Sequence, residues 1–268
     1  MKKILLIFIA FSLLVAFTSC TGTTGNDSHV EAEPNQAVFI TGDNMVHIAG
    51  GTFLMGRHLI PPEFNPYYHS QLAISGGPMR NVTLSPFYIA LRPVSRNEFN
   101  DMMGVPRCAS GFGNRPAGEV TWFAAVEFAN RLSLREGLTP VYTTNGTEVS
   151  WDRNANGYRL PTEAEWEFAV RAGTNTPFPR DGSHPWRLEV MPAGSVFEWC
   201  WDWHAIYPDE AQVDPVGPDS GTHRVLRNDD GGNATCMPRG ELATLRSMGI
   251  PSDQSPSIGF RLARSATL

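Results

Sequence analysis

Four cysteines, Cys20, Cys108, Cys200 and Cys236, are the first residues to weigh for chemistry. A soft metal such as copper(I) is held by thiolates in pairs, and an exported chain oxidises neighbouring thiols to disulfides. Cys20 closes the amino-terminal apolar run, which leaves an odd number, so at least one thiol is unpaired. Cys200 and Cys236 either bridge or stay free, and a free buried cysteine packs as a small hydrophobe. Oxygen ligands come next. Asp152-x-Asn154-x-Asn156-Gly157, with Glu163 at the twelfth place, fits the EF-hand calcium loop. However, no apolar-periodic helix leads into Asp152, and Glu163 stands at a helix start, where the dipole favours a carboxylate anyway. The Asn and Gly residues equally describe a turn. His47, His58, His69, His184 and His223 lack zinc-site spacing. Neither a Ser-centred nucleophile elbow nor a phosphate-binding glycine loop is present. The residue types predict no catalytic group, no metal and no cofactor.

The elements that would position a site are short. Val46 to Met55 alternates as an opening strand, and Val82 to Ala90 reads as a strand broken at Ser85-Pro86. Ser95 and Glu98 make a capping box for a helix that Gly104 stops. Thr121 to Glu136 is a longer helix, with Trp122, Ala125, Val126, Ala129, Leu132 and Leu134 as its apolar stripe and Gly137 at its end. Thr162 and Glu165 cap a third helix that buries Trp166, Phe168, Ala169 and Val170 and closes at Gly173. Beyond it, Arg224 to Arg227 and Ile258 to Ala263 read as strands separated by a long stretch with neither period. Irregular chain carried on a rigid frame is where binding resides.

Gly157-Tyr158-Arg159-Leu160-Pro161-Thr162-Glu163-Ala164-Glu165-Trp166-Glu167 resembles the signature of the formylglycine-generating-enzyme-like, or sulfatase-modifying-factor, domain. Gly51-Thr52-Phe53-Leu54-Met55-Gly56, Val94 to Phe99, Val120-Thr121-Trp122, Gly194 to Trp203, Arg224 to Arg227 and Ile258 to Leu262 resemble its other blocks in the same order. The resemblance runs from about residue 40 to the end. It implies an α+β, C-type-lectin-like fold of the formylglycine-generating-enzyme subtype: short, mostly antiparallel strands, about three helices and much irregular structure. Enzymes of that family use a carboxy-terminal pair of copper-binding cysteines. Cys236 is alone in the corresponding region, so the chemistry is expected to be lost unless Cys200 lies beside it. Iron-dependent relatives rely on a separate helical domain for which this chain has no room. The resemblance also implies a calcium site at Glu198 and the Gly194 and Val196 carbonyls. Ser195 and Met191 weaken that oxygen set, and Glu198 is as readily a core hydrogen-bonding group.

The family follows its Arg-Val-Leu-Arg strand with Gly-Gly-Ser-Trp, whereas this chain has Asn228-Asp229-Asp230-Gly231, and Cys236 to Met248 keeps only traces of the pattern. An altered segment between intact frame strands resembles the variable proteins of diversity-generating retroelements, the treponemal variable lipoproteins among them. That resemblance implies a ligand-binding face drawn from His204, Ile206, Tyr207, Asn228, Asp229, Asp230, Gly232, Met237, Glu241, Leu242, Arg246 and Met248, within a variable segment near 204–257. Aromatic, apolar and charged groups side by side suit a tunable surface, although each also fits an ordinary solvated loop. Trp199, Trp201, Trp203 and Phe260 are expected in the core.

At the amino terminus, Lys2 and Lys3 precede an apolar run, Ile4 to Phe17, of signal-peptide length, too short to span a bilayer. Thr18-Ser19-Cys20 resembles a lipobox, with Phe17 where an aliphatic residue is usual. Cys20 is then the lipidated residue, the alternative being ordinary cleavage near Ser19 that leaves a free thiol. Residues 1–19 read as the signal peptide, 20–36 as a polar tether, and 37–268 as one domain. A net charge of −6 without a basic run excludes a nucleic-acid footprint. The expected partners are a membrane, through the lipid anchor at the cell envelope's outer surface, and a variable ligand, protein or other surface molecule. A monomer is the default.

Overall fold

The computed structural model describes residues 44–56, 78–106, 113–171, 196–227, 244 and 246–266. The chain divides into two compact units, Met1–Gln36 and Ala37–Leu268, and every described residue belongs to the second. Cys20, Cys108, Cys236, Asn228, Asp229, Asp230, Gly232, Met237, Glu241, Leu242, Gly173 and Gly194 lie outside the described residues.

Local signals set the helices. In α1 (Arg96–Met103) Ser95 accepts from the Glu98 amide while the Glu98 carboxylate takes the Ser95 N–H, and Gly104 ends the helix at φ 73°. In α2 (Trp122–Arg135) Thr121 caps the first turn. Trp122, Ala125, Val126, Ala129 and Leu132 are buried as the period requires, and so is Phe128. Leu134 is a correction: it is 66% exposed, because two residues beyond Leu132 a helix has turned about 200° away from its buried face. In α3 (Glu163–Val170) the Thr162–Glu165 capping box is complete, and all eight residues are buried.

Among the described residues, twelve short strands accompany these helices. β1 (Met45–Ile48), β4 (Phe87–Ala90) and β12 (Ala263–Ser265) form one antiparallel sheet in the order β1-β4-β12. β2 (Gly51–Met55), β3 (Arg80–Leu84) and the two-residue β8 (Gln212–Val213) form another, with β3 and β8 parallel. β5 (Tyr142–Asn145) and β6 (Glu148–Trp151) make a hairpin. The largest sheet runs β10-β9-β7-β11, from β7 (Phe197–Trp203), β9 (Arg224–Arg227), β10 (Arg246–Gly249) and β11 (Ile258–Gly259). The result is the expected α+β arrangement of short, mostly antiparallel strands.

Three strand readings change. The opening run is two strands in different sheets, broken at Gly50, whose φ is +76° and where a Cβ would lie 2.2 Å from the Leu84 carbonyl oxygen. Ile258 to Ala263 likewise divides between sheets: β11 pairs with β7 and β12 with β4. In the connecting residues Val94 and Ala90 donate to the Phe260 and Leu262 carbonyls. The stretch read as irregular contains β10, antiparallel to β9 with Arg246 opposite Arg227. One core cluster centres on α2, with Trp122, Phe128, Trp199 and Phe260, and a second, with Phe53, Val82, Phe87 and Trp166, packs α3 against β2, β3, β7 and β9. Among the described residues no helix is long and apolar enough to cross a membrane.

Candidate functional site

Helix α3 buries three carboxylates, and a buried charge must be paired. Glu165 is held in bidentate fashion by Arg159, Nη1 at 2.6 Å and Nη2 at 2.7 Å. Glu167 accepts from the Gly56 N–H at 2.9 Å and from Arg227 Nη2 at 2.8 Å. Glu163, the first residue of the helix, gathers the carboxy-terminal strands and the loop after β7: Arg246 Nε at 2.5 Å and Nη2 at 2.8 Å, Arg227 Nη1 at 3.1 Å, and the Tyr207 hydroxyl at 2.9 Å. Burial alone would raise its pKa, yet Arg246 and Arg227 hold it below the usual carboxylate value.

Above this charged floor is a cavity of about 260 Å³ lined by Met55, Arg80, Glu163, Asp202, Trp203, Ile206, Tyr207, Gln212 and Arg246, with the 215–218 loop as one wall. The Arg80 and Arg246 guanidiniums lie 3.7 and 4.1 Å from the Tyr207 ring centroid, in cation–π contact. Asp202 Oδ2 accepts the Glu163 N–H at 2.8 Å, capping α3 from β7. Burial, and then the Glu163 charge, push the Asp202 carboxyl up to about 7. Asp214 fastens the loop wall by accepting the Ser85 N–H and hydroxyl, both at 2.7 Å. Gly217, at φ +76°, closes over Asp202, whose Cβ would be 2.9 Å from any added Cβ.

Of the predicted ligand-binding residues, the structure brings Ile206, Tyr207 and Arg246 to this cavity. Ile206 is 71% exposed. Tyr207 and Arg246, expected on an exposed face, are instead buried, because Glu163 needs both to neutralise and solvate its charge. His204 is half-buried beside them, its N–H bonded to the His223 carbonyl. Burial and then the Arg246 charge lower its pKa. Met248 is exposed at the end of β10 and does not line the cavity. Trp199 and Phe260 are fully buried as expected, whereas Trp203 is half-buried and lines the cavity. Arg80, Asp202, Gln212 and the 215–218 loop escaped sequence reasoning. The one signal for them was that Asp202 joins Glu198 as a carboxylate in the aromatic-rich Phe197–Trp203 block.

The metal readings can be tested on the side chains present. Cys200 is a free thiol, fully buried in the apolar cluster of Phe53, Trp166 and Val225, and burial and then Asp202 and Glu163 push its pKa well up. Packed there it fills space as a small hydrophobe and is not presented to a metal ion at the surface. Both Glu198 oxygens are engaged, Oε1 by Arg261 at 2.7 Å and Oε2 by Arg261 Nε and by Trp166 Nε1 at 2.8 Å, so three of the carboxylate's roughly four lone-pair sites serve a core ion pair and hydrogen bond. In the EF-hand-like stretch, Asp152 Oδ1 accepts from the Asn154 amide, Asn156 Oδ1 accepts from the Thr139 amide, and Glu163 belongs to the arginine cluster. Those residues form turns, not a cation loop.

Three comparisons bear on this geometry. A family profile for the sulfatase-modifying factor enzyme 1-like domain matches residues 30–193. A formylglycine-generating enzyme of Streptomyces coelicolor is 34% identical over 83% of this chain and 90% of its own. A Paenibacillus barcinonensis protein called chaperone protein LppX is 26% identical over 83% and 98%. Among solved structures, Treponema denticola variable protein 1 superposes with a TM-score of 0.62 at 26% identity, covering 83% of this chain and 95% of that one.

Proposed function

From the premise that the chain belongs to the sulfatase-modifying factor enzyme 1-like family, we propose that it is a non-catalytic, ligand-binding variable protein displayed at the cell surface through a lipid on Cys20. Its ligands are diverse, and the site is rewritten by a diversity-generating retroelement in the gene segment for residues near 204–257. One observation carries the reading: a buried, ion-paired floor, to which β10 contributes Arg246, holds fixed a cavity whose rim is built from the irregular residues after β7. Such a frame tolerates changes at exposed rim positions, because the folding energy resides beneath them. Likeness to Treponema denticola variable protein 1 supports it.

Two full-length versions differing only at Ile206 serve as the test. Screened against one panel of immobilised surface proteins and glycans, they are expected to select different ligands. Identical selections, or none, contradict the proposal. A second reading, oxidation of a substrate cysteine to formylglycine on exported proteins, is favoured by the Streptomyces coelicolor enzyme's 34% identity. Incubation with copper and a cysteine-containing peptide decides between them: loss of thiol with aldehyde formation establishes the enzyme, and unchanged peptide supports the binding protein.

A further inference from the structure

Arg80 on β3 is only 5% exposed, and its guanidinium edge is incompletely used. Nε donates to the neutral amide oxygen of Gln212 at 3.3 Å, the guanidinium lies over the Tyr207 ring, and the buried Nη1 has no hydrogen-bond partner among the described residues. The neighbouring Glu163 is already engaged by Arg246, Arg227 and Tyr207. By contrast, Arg159, Arg227, Arg246 and Arg261 each hold a carboxylate at ion-pair distance. Arg224 holds none among the described residues, but it stacks 3.8 Å over Trp122 and 3.5 Å over Trp203 and does not line the cavity. Arg80 does line it. A buried cation with an open N–H edge is costly until an anion completes it.

We propose that the cavity is a carboxylate subsite, with Arg80 as the residue that receives the ligand's anionic group. The geometry of guanidinium and carboxylate is complementary, two N–H groups meeting two oxygens. A volume of about 260 Å³ lies just under the range of sites for drug-sized molecules, so it suits a group of glutamate side-chain size. Met55, Ile206 and Pro208 supply apolar wall for the methylenes of such a group. The inference rests on the ligand-binding reading and adds to it a fixed acidic anchor, around which exposed residues such as Ile206 choose the rest of the ligand.

The probe is glutarate, titrated calorimetrically into the full-length protein, with neutral glutaramide at matched ionic strength as control. Saturable binding of glutarate alone is expected. Arg80→Gln should weaken it at least tenfold. Gln212→Glu, which places an internal carboxylate against Arg80, should weaken it similarly while raising the melting temperature, so that a failure to fold cannot imitate the result. Two further probes separate the sources. Binding of a blocked peptide with one internal glutamate identifies an acidic side chain as the anchor, and binding of an acid-free peptide with a free carboxyl end identifies a chain terminus; either supports the subsite. Absent glutarate binding, equal binding of glutaramide, or glutarate affinity unchanged in both variants overturns it. If glutarate fails while the panel screen finds selective ligands, the subsite alone falls. Should glutarate bind while no selective ligand exists, the variable-display reading falls and the subsite stands.

Discussion

Glu163→Gln probes the floor on which the binding account depends. The substitution keeps the shape of the side chain and removes its charge, leaving Arg246 facing an amide where two charge-assisted bonds of 2.5 and 2.8 Å had been. Arg227 keeps Glu167 at 2.8 Å, so the group that loses most is Arg246, which retains its bond to the Ala205 carbonyl. Removing one partner of a buried pair costs about 3–5 kcal/mol. For a domain of this size that lowers the melting temperature by roughly 6–20 °C. Urea unfolding monitored by tryptophan fluorescence should show a lower midpoint with an unchanged slope. Glu163→Gln combined with Arg246→Met should recover part of the loss, since neither member of the pair is then buried alone. Glu127→Gln is the reference. Its ion pair with Arg131 is 51% and 44% exposed, and its loss should change stability by less than about 0.5 kcal/mol. A Glu163→Gln loss no larger than that of Glu127→Gln refutes the argument that this cluster sets the site.

Other perturbations read different parts of the structure. Ile206→Ala, at a position 71% exposed, should alter ligand selection while moving stability by less than about 0.5 kcal/mol; a large loss of stability would show Ile206 to be frame, not rim. For Asp202, the ordinary carboxyl value of 3.8 rises to about 7 in the folded chain, so between those pH values the folded state holds a proton that the unfolded state has released. Stability from this group therefore declines as pH rises from about 4 to 7, at up to about 1.4 kcal/mol per pH unit. Asp202→Asn should abolish that slope, and parallel wild-type and variant curves across the window would count against it. Cys200 should resist iodoacetamide in the native protein and react in urea, read by mass spectrometry of its peptide. Rapid native labelling would contradict its burial.

What the sequence disclosed and what it hid divide by range. The capping pairs Ser95–Glu98 and Thr162–Glu165 are legible because both partners sit within one turn. The switch of Ile258 to Ala263 from β7 to β4 is not, since an apolar run looks alike in either sheet. Glu163 shows the same limit at the site. Sequence rules place it at a helix start, and its actual partners Arg246, Arg227 and Tyr207 are 83, 64 and 44 residues away. The family pattern made Tyr207 and Arg246 legible as candidates, and the fold brings both to the cavity. Their burial was not legible, because nothing local says that an arginine will meet a buried glutamate. Arg80 lies outside every altered block, so only the folded chain brings it to the cavity.

If a fixed frame carries a rewritten binding segment, the gene sequenced from many individual clones will record it. Substitutions should concentrate in codons between His204 and Met248, with a near-copy of that stretch close to the gene, while the codons for Glu163, Glu167, Asp202 and Arg227 stay unchanged. Substitutions spread evenly along the gene, with no such copy nearby, contradict it.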